Sequence, residues 1–266
     1  MSIDDIVTAV DARTSAIVDV LGRLDEASLV APSELPDWSR LTIACHLRFG
    51  AEAFRRMTEA AIAGEPASYY PEGRDPQRPT TLVPRPRERA VDVVESLAHA
   101  SAELHGAWRA VTPSQWSLQV REPAGSRDLG DLALAQLPLL RLTEVEVHGS
   151  DLGVGLDDWS ETFVTAALPF RLDWLNTRRT NHRAVDGDIE GSWLLRASDG
   201  PTHLVSVDNG RVESRPVAST STARAVIEAS SRDLLALLLG RRARASLTVS
   251  GDEDFARAFT RAFPGP

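Results

Sequence analysis

The sequence predicts an α+β fold in two parts, an N-terminal four-helix bundle followed by a smaller C-terminal α/β domain. Three observations carry this. Apolar residues recur at helical spacing as far as Leu175. From Gly191 onward the runs shorten to strand length and are separated by turn residues. The 266 residues suffice for two ordinary domains, and 42% hydrophobic with 25% charged residues marks a globular chain rather than a disordered or disulfide-stapled one.

The first helix is expected over Ile3 to Leu24, on the spacing of Ile6, Val10, Ile17, Val20, Leu21 and Leu24. A second follows Leu35-Pro36-Asp37-Trp38, with Ser39 as N-cap and Thr42 to Ala63 carrying the apolar face. Gly64 to Pro86, rich in proline and glycine, reads as a long loop of the kind that often carries function. A third helix is expected from Arg87 to Val111 and a fourth from about Leu129 to Gly153. A further amphipathic segment, Ser160 to Leu175, leads out of the bundle. Strands are expected at Trp193 to Arg196, His203 to Val207, Val212 to Arg215, Ala223 to Ile227 and Leu247 to Ser250, with Asp208-Asn209-Gly210 as a hairpin turn. Helices over Arg232 to Leu239 and Asp252 to Phe263 complete the second part. The change of period puts the domain boundary near Arg183, giving domains 1–182 and 183–266.

Composition removes several functions. A net charge of −9, with no basic stripe, repels phosphate backbones, so no nucleic-acid partner is expected. No apolar run approaches the ~20 residues of a membrane span, and Ser2 to Asp5 is unlike a secretory signal, so no membrane partner and a cytoplasmic location are expected. The single cysteine, Cys45, cannot form an internal disulfide, which agrees with a reducing compartment. Every basic residue is arginine; without lysine there is no Schiff base, no pyridoxal phosphate attachment and no Walker-type phosphate loop. No heptad seam or exposed apolar stripe stands out, so the oligomeric state stays open at this point, with a monomer favoured.

The chemistry concentrates in Leu140 to His148. Glu144 and His148, four residues apart, share one helix face within reach of one ion. Glu146 points nearly the opposite way and is expected to face solvent. Asp151 stands where it could accept the second ring N–H of His148 and fix its tautomer. His46 lies on a face with Ile43, Leu47, Gly50 and Phe54, where an inward imidazole needs a partner. If the second and fourth helices pack together, that partner could be an ion held by Glu144 and His148, two nitrogens and one carboxylate with positions left open. The bland alternatives are a solvated Glu-x-x-x-His face and a histidine bonded to backbone. His99 and His105 are six residues apart and off one another's face, His182 and His203 carry no assigned role, and Cys45 reads as a small core residue rather than a nucleophile.

Pro36-Asp37-Trp38-Ser39 with Ala44-Cys45-His46-Leu47, Tyr70-Pro71 with Arg74-Asp75, and Leu140 through Gly153 together resemble the mycothiol-dependent maleylpyruvate isomerase family. Its N-terminal half belongs to the DinB-like metal-binding bundles. Trp193, Ser231 to Leu239, Gly240-Arg241 and Ser250-Gly251-Asp252 resemble that family's smaller domain, akin to sterol carrier proteins. The resemblance implies His46, Glu144 and His148 as ligands of a divalent metal, with zinc preferred, mycothiol as the second cofactor, and Arg74 and Arg241 as residues handling substrate or thiol. The chain departs from the family pattern at Gly50-Ala51 and at Pro76-Gln77-Arg78-Pro79, both flanking the expected substrate pocket.

The implied activity begins with a thiol, which at its ordinary pKa of about 8.5 is mostly protonated near neutrality and which zinc converts to thiolate. Addition of thiolate to an electron-poor double bond, rotation and release would isomerise maleylpyruvate or a related enedioyl acid from cis to trans. Arg74 would pair with a substrate carboxylate through two parallel hydrogen bonds. The same thiolate retained on an epoxide, halide or conjugate would make the protein a mycothiol S-transferase. From another class, a non-catalytic protein binding an apolar ligand in the C-terminal domain also suits the sequence.

Overall fold

The computed structural model describes residues 1–124, 126, 129–130, 132–177, 189–241, 243–245 and 247–265. The expected boundary at Arg183, and His182 beside it, lie outside these. The described chain divides into two compact units, Met1–Phe163 and Val164–Pro266. Among the described residues no helix is long and apolar enough to cross a membrane.

The first unit is helical: α1 (Ile3–Leu21), α2 (Glu26–Val30), α3 (Arg40–Ala63), α4 (Arg74–Thr81), α5 (Ala90–Arg109) and α6 (Leu137–Asp151). Its long helices pack as neighbours, α1 and α3 each against both α5 and α6. They bury Ile17, Leu21, Ile43, Leu47, Phe54, Met57, Leu97, Trp108, Leu142 and Val145 between them. Trp108 shows how the core satisfies its polar atoms. Its Nε1 donates to Thr58 Oγ1 at 3.0 Å, and Thr58 in turn donates to the carbonyl of Phe54.

Several boundaries differ from expectation for identifiable reasons. α5 starts at Ala90, not Arg87, because Arg87 sits at φ +70° and the Asp92 carboxylate caps the backbone N–H of Arg89 at 3.1 Å. α6 starts at Leu137, not Leu129, because Leu132–Ala133 (β2) first pairs antiparallel with Gln119–Val120 (β1). The expected loop from Gly64 to Pro86 contains α4; Pro76 lies in its first turn, where no N–H is needed, and only Pro79 interrupts it. The short α2, capped by Asp25, was not anticipated by the periodicity.

α7 (Glu161–Thr177) continues the chain across the boundary between the units. The second unit carries a five-stranded sheet in the order β5-β4-β3-β6-β7, formed by β3 (Gly191–Ala197), β4 (Thr202–Asp208), β5 (Arg211–Val217), β6 (Ala225–Ala229) and β7 (Thr248–Gly251). Among the described residues only β3 and β6 pair in parallel. The β4–β5 turn is the expected one: Asn209 and Gly210 both take positive φ, the backbone a two-residue hairpin needs. α8 (Ser231–Leu238), α9 (Glu253–Arg257) and α10 (Phe259–Ala262) complete the unit, the last two replacing one expected helix. Trp193 anchors its core, stacked on Phe255 at 4.2 Å with Nε1 donating to the Phe255 carbonyl at 2.8 Å.

Candidate active site

Helix α3 begins where Ser39 Oγ accepts the N–H of Thr42 at 3.0 Å, which places His46 near the end of its second turn. Helix α6 carries His148 in its last turn, and α3 packs on α6. The two imidazoles meet edge to face, ring centroids 4.8 Å apart. Residues distant in sequence thus converge as the apolar face of α3 required. Trp38, delivered by a turn in which Asp37 takes φ +65°, stacks on His148 at 5.9 Å and stands edge-on to His46 at 5.5 Å.

The nitrogens of the pair are differently engaged. His148 Nδ1 lies 3.0 Å from Asp151 Oδ2, the relationship the i, i+3 spacing suggested. His46 Nδ1 is buried and has no hydrogen-bond partner among the described residues. Burial, reinforced by His148, Arg141 and Arg78, holds the His46 pKa well below its ordinary value, so its imidazole is neutral near pH 7. A neutral imidazole with an orphaned nitrogen is the form that binds a cation.

Glu144 shares the face but has other partners. Tyr69 Oη donates to its Oε1 at 2.9 Å and Arg141 Nη1 donates to its Oε2 at 3.0 Å. Burial, and then the Glu144 charge, push the Tyr69 phenol well above its ordinary value, which keeps it a donor. Gly50 makes room: a Cβ there would lie 2.6 Å from Glu144 Oε2, 2.9 Å from Arg141 Nη1 and 3.0 Å from the Tyr69 hydroxyl. Tyr69 itself sits in a ring cluster with Phe49, Phe54 and Tyr70.

The two histidines fit a metal by donor type, adjacency and the unpartnered nitrogen. Among the described residues, however, no three of His, Cys, Asp and Glu stand close enough together to hold an ion. Glu144 is turned to Tyr69 and Arg141 instead.

Arg74 is the first residue of α4 and is exposed; Arg78, one turn on along the same face, is half-buried and its charge acts on His46. Arg241 belongs to the second unit, beyond α8, where its Nη1 donates to the Leu239 carbonyl at 3.3 Å. Glu146 corrects the expectation of a solvated face. It is 1% exposed, pairs with Arg13 Nε at 3.1 Å and accepts hydrogen bonds from Ser160, because α1 and the chain after α6 cover that side. Cys45 is fully buried and its thiol is pushed up to about 11 by desolvation, so it is a core residue. His99 is exposed beside Glu103, whereas His105 is buried, 3.4 Å from Asp11. His203 is buried on β4.

Tyr69 and Arg141 escaped the sequence reading as members of the site; Gly50 was read only as flanking the substrate pocket, and Trp38 only as part of a family motif. Arg141 carried a signal, lying three residues before Glu144 on the same helix face. Tyr69 carried none, because its place depends on how the segment after α3 folds back.

An imidazole pair in a helical unit, followed by a mixed five-stranded sheet, defines an α+β protein whose candidate chemistry lies in its helical part. The chain belongs to the family of the mycothiol maleylpyruvate isomerase N-terminal domain, whose model matches residues 10–153. Among solved structures it is similar to the crystal structure of the mycothiol-dependent maleylpyruvate isomerase, at 19% identity and TM-score 0.68, covering 94% of this chain and 93% of that one. A histidine-to-alanine mutant of that isomerase matches at 20% identity with the same TM-score and coverage. At these identities the likeness shows the fold. A search of curated proteins gives no match.

Proposed function

We propose that the chain is a mycothiol-dependent metalloenzyme that isomerises maleylpyruvate or a related cis-enedioyl acid, with His46, Glu144 and His148 holding one divalent metal, zinc by preference. The family assignment supports the thiol and the substrate class. The observation that carries the site is the imidazole pair 4.8 Å apart with an orphaned, neutral His46 Nδ1. Two neutral imidazole nitrogens suit zinc, with Glu144 as the carboxylate that would complete the set.

When bound, such a cation would lower the pKa of a coordinated thiol and supply the nucleophile that adds to an electron-poor double bond. The chain's own residues do the rest. Asp151 fixes the His148 tautomer, directing Nδ1–H to the carboxylate and leaving Nε2 as the lone-pair donor. Trp38 covers the ring face of His148 and excludes water from that side. Tyr69 and Arg141 hold both oxygens of the Glu144 carboxylate, which would turn from them toward the imidazoles to join the ion. Arg74, with Arg78 one turn on, holds a substrate carboxylate at the mouth of the site through guanidinium hydrogen bonds. Arg241 is assigned to thiol or substrate handling by family resemblance. With one buried cysteine and a small thiol as co-reactant, we place the protein in the cytoplasm, acting as a monomer with domains 1–182 and 183–266.

The test is to incubate the protein with mycothiol and maleylpyruvate and to follow thiol and product together. Isomerisation with the thiol recycled is expected. Consumption of thiol in proportion to product would replace this reading with a mycothiol S-transferase.

A further inference from the structure

Arg141 is fully buried on α6, yet among the described residues only Nη1 of its guanidinium has a hydrogen-bond acceptor, Glu144; Nε and Nη2 have none. These two N–H groups form the side of the guanidinium that binds two acceptors or one shared oxygen. A small cavity lies against Arg141, between residues of α1, α5 and α6. Thr14 and Ser101 also line it, and the buried Thr14 Oγ1 and Ser101 Oγ are likewise without partners among the described residues. His105 and Asp11, 3.4 Å apart, stand at its edge. Three residues from three helices that line one space thus carry four unsatisfied polar atoms among the described residues. Leaving them all unpaired in a native core would be costly, since a buried donor without an acceptor forfeits its full hydration.

The space open to the centre of a water molecule is about 10 Å³, which is room for one water and no larger group. We infer that a single water is a fixed component of this protein, bound by Arg141, Thr14 and Ser101 in the core of the helical unit. The donor and acceptor balance suits water and not an anion. The water oxygen accepts from Arg141 Nε–H and Nη2–H, and its two protons go to Thr14 Oγ1 and Ser101 Oγ, completing the usual four bonds. Arg141 is already neutralised by Glu144 on its other edge, and the Asp11 carboxylate beside the cavity opposes a second negative charge. The water thus secures the far side of the guanidinium that holds Glu144. The inference needs no metal and does not depend on the proposed activity.

A high-resolution crystal structure of the full chain, grown without metal and soaked in bromide, tests it. One discrete peak is expected, about 2.7–3.2 Å from Arg141 Nε and Nη2 and from both hydroxyls, with no bromine anomalous signal. An empty cavity, hydroxyls turned onto helix carbonyls, or a bromine peak, meaning an anion site, would each overturn it. In a Thr14→Val, Ser101→Ala variant the peak should vanish and the Arg141 to Glu144 contact lengthen. If that variant does not fold, Ser101→Ala alone serves, with loss or displacement of the peak expected and an unchanged peak contradicting the assignment.

Discussion

His148 Nδ1 and Asp151 Oδ2 lie 3.0 Å apart, three residues along the same helix. A carboxylate on the far nitrogen of a metal-binding imidazole fixes its orientation and raises its basicity. Asp151→Ala should therefore weaken zinc binding by about 10–100-fold. Titration calorimetry of the variant beside the wild type checks this, and equal affinities would remove Asp151 from the account.

Gly50 is where the site leaves no space for a side chain. An added Cβ meets the side-chain ends of Glu144, Arg141 and Tyr69 rather than backbone, so Gly50→Ala should displace the carboxylate while leaving the fold intact. We expect a stability loss of about 1–3 kcal/mol in urea denaturation. Thiol-dependent activity should fall about 10²-fold through the misplacement. Full activity in the variant would show that the position of Glu144 does not matter.

Cys45 should be inert in the native protein. Its thiol is buried and its pKa is raised to about 11, so little thiolate exists near neutrality and reagents cannot reach it. Mass spectrometry after iodoacetamide treatment at about pH 8 should show no label in native protein and one label in urea. Fast native labelling would contradict the buried assignment.

Asp233 supplies a pH dependence in the second unit. Desolvation works to raise its pKa, but hydrogen bonds from the Arg244 backbone N–H, Ser230 and Arg232 outweigh it, and the carboxyl is held below its ordinary 3.8. A carboxylate depressed on folding stabilises the protein above its unfolded pKa, and that stabilisation is lost as pH falls through the folded value. Asp233→Asn should thus be less stable than wild type at pH 7, with the difference shrinking below 3.8. Urea midpoints across that range check the sign, and a gap that widens in acid would refute it.

Much of the fold was legible because the apolar periods were strong. The helix around His46 and the hairpin at Asn209-Gly210 fell where pattern and turn chemistry put them. The i, i+3 spacing pointed to Asp151 as the neighbour of His148, and the inward face of α3 aimed His46 at His148, whereas the i, i+4 carboxylate of Glu144 is engaged by Tyr69 and Arg141. What stayed hidden depended on tertiary packing. Glu146 looked solvated because a helix face does not reveal that Arg13 of α1 covers it. α4 was masked by two prolines, Pro76 in its tolerant first turn and Pro79 inside it. The engagement of Glu144 by Tyr69 requires the chain after α3 to fold back on α6, which no local pattern encodes. Both departures from the family pattern, at Gly50 and around Arg78, fall beside the site, where a change of substrate would be written.

The most direct measurement is elemental analysis of purified wild type beside His148→Ala, combined with thermal unfolding with and without added zinc. The account predicts about one divalent ion per wild-type chain, stabilisation by zinc, and loss of both in the variant. A wild type that carries no ion and is not stabilised by zinc, or a variant that retains the metal, would contradict it.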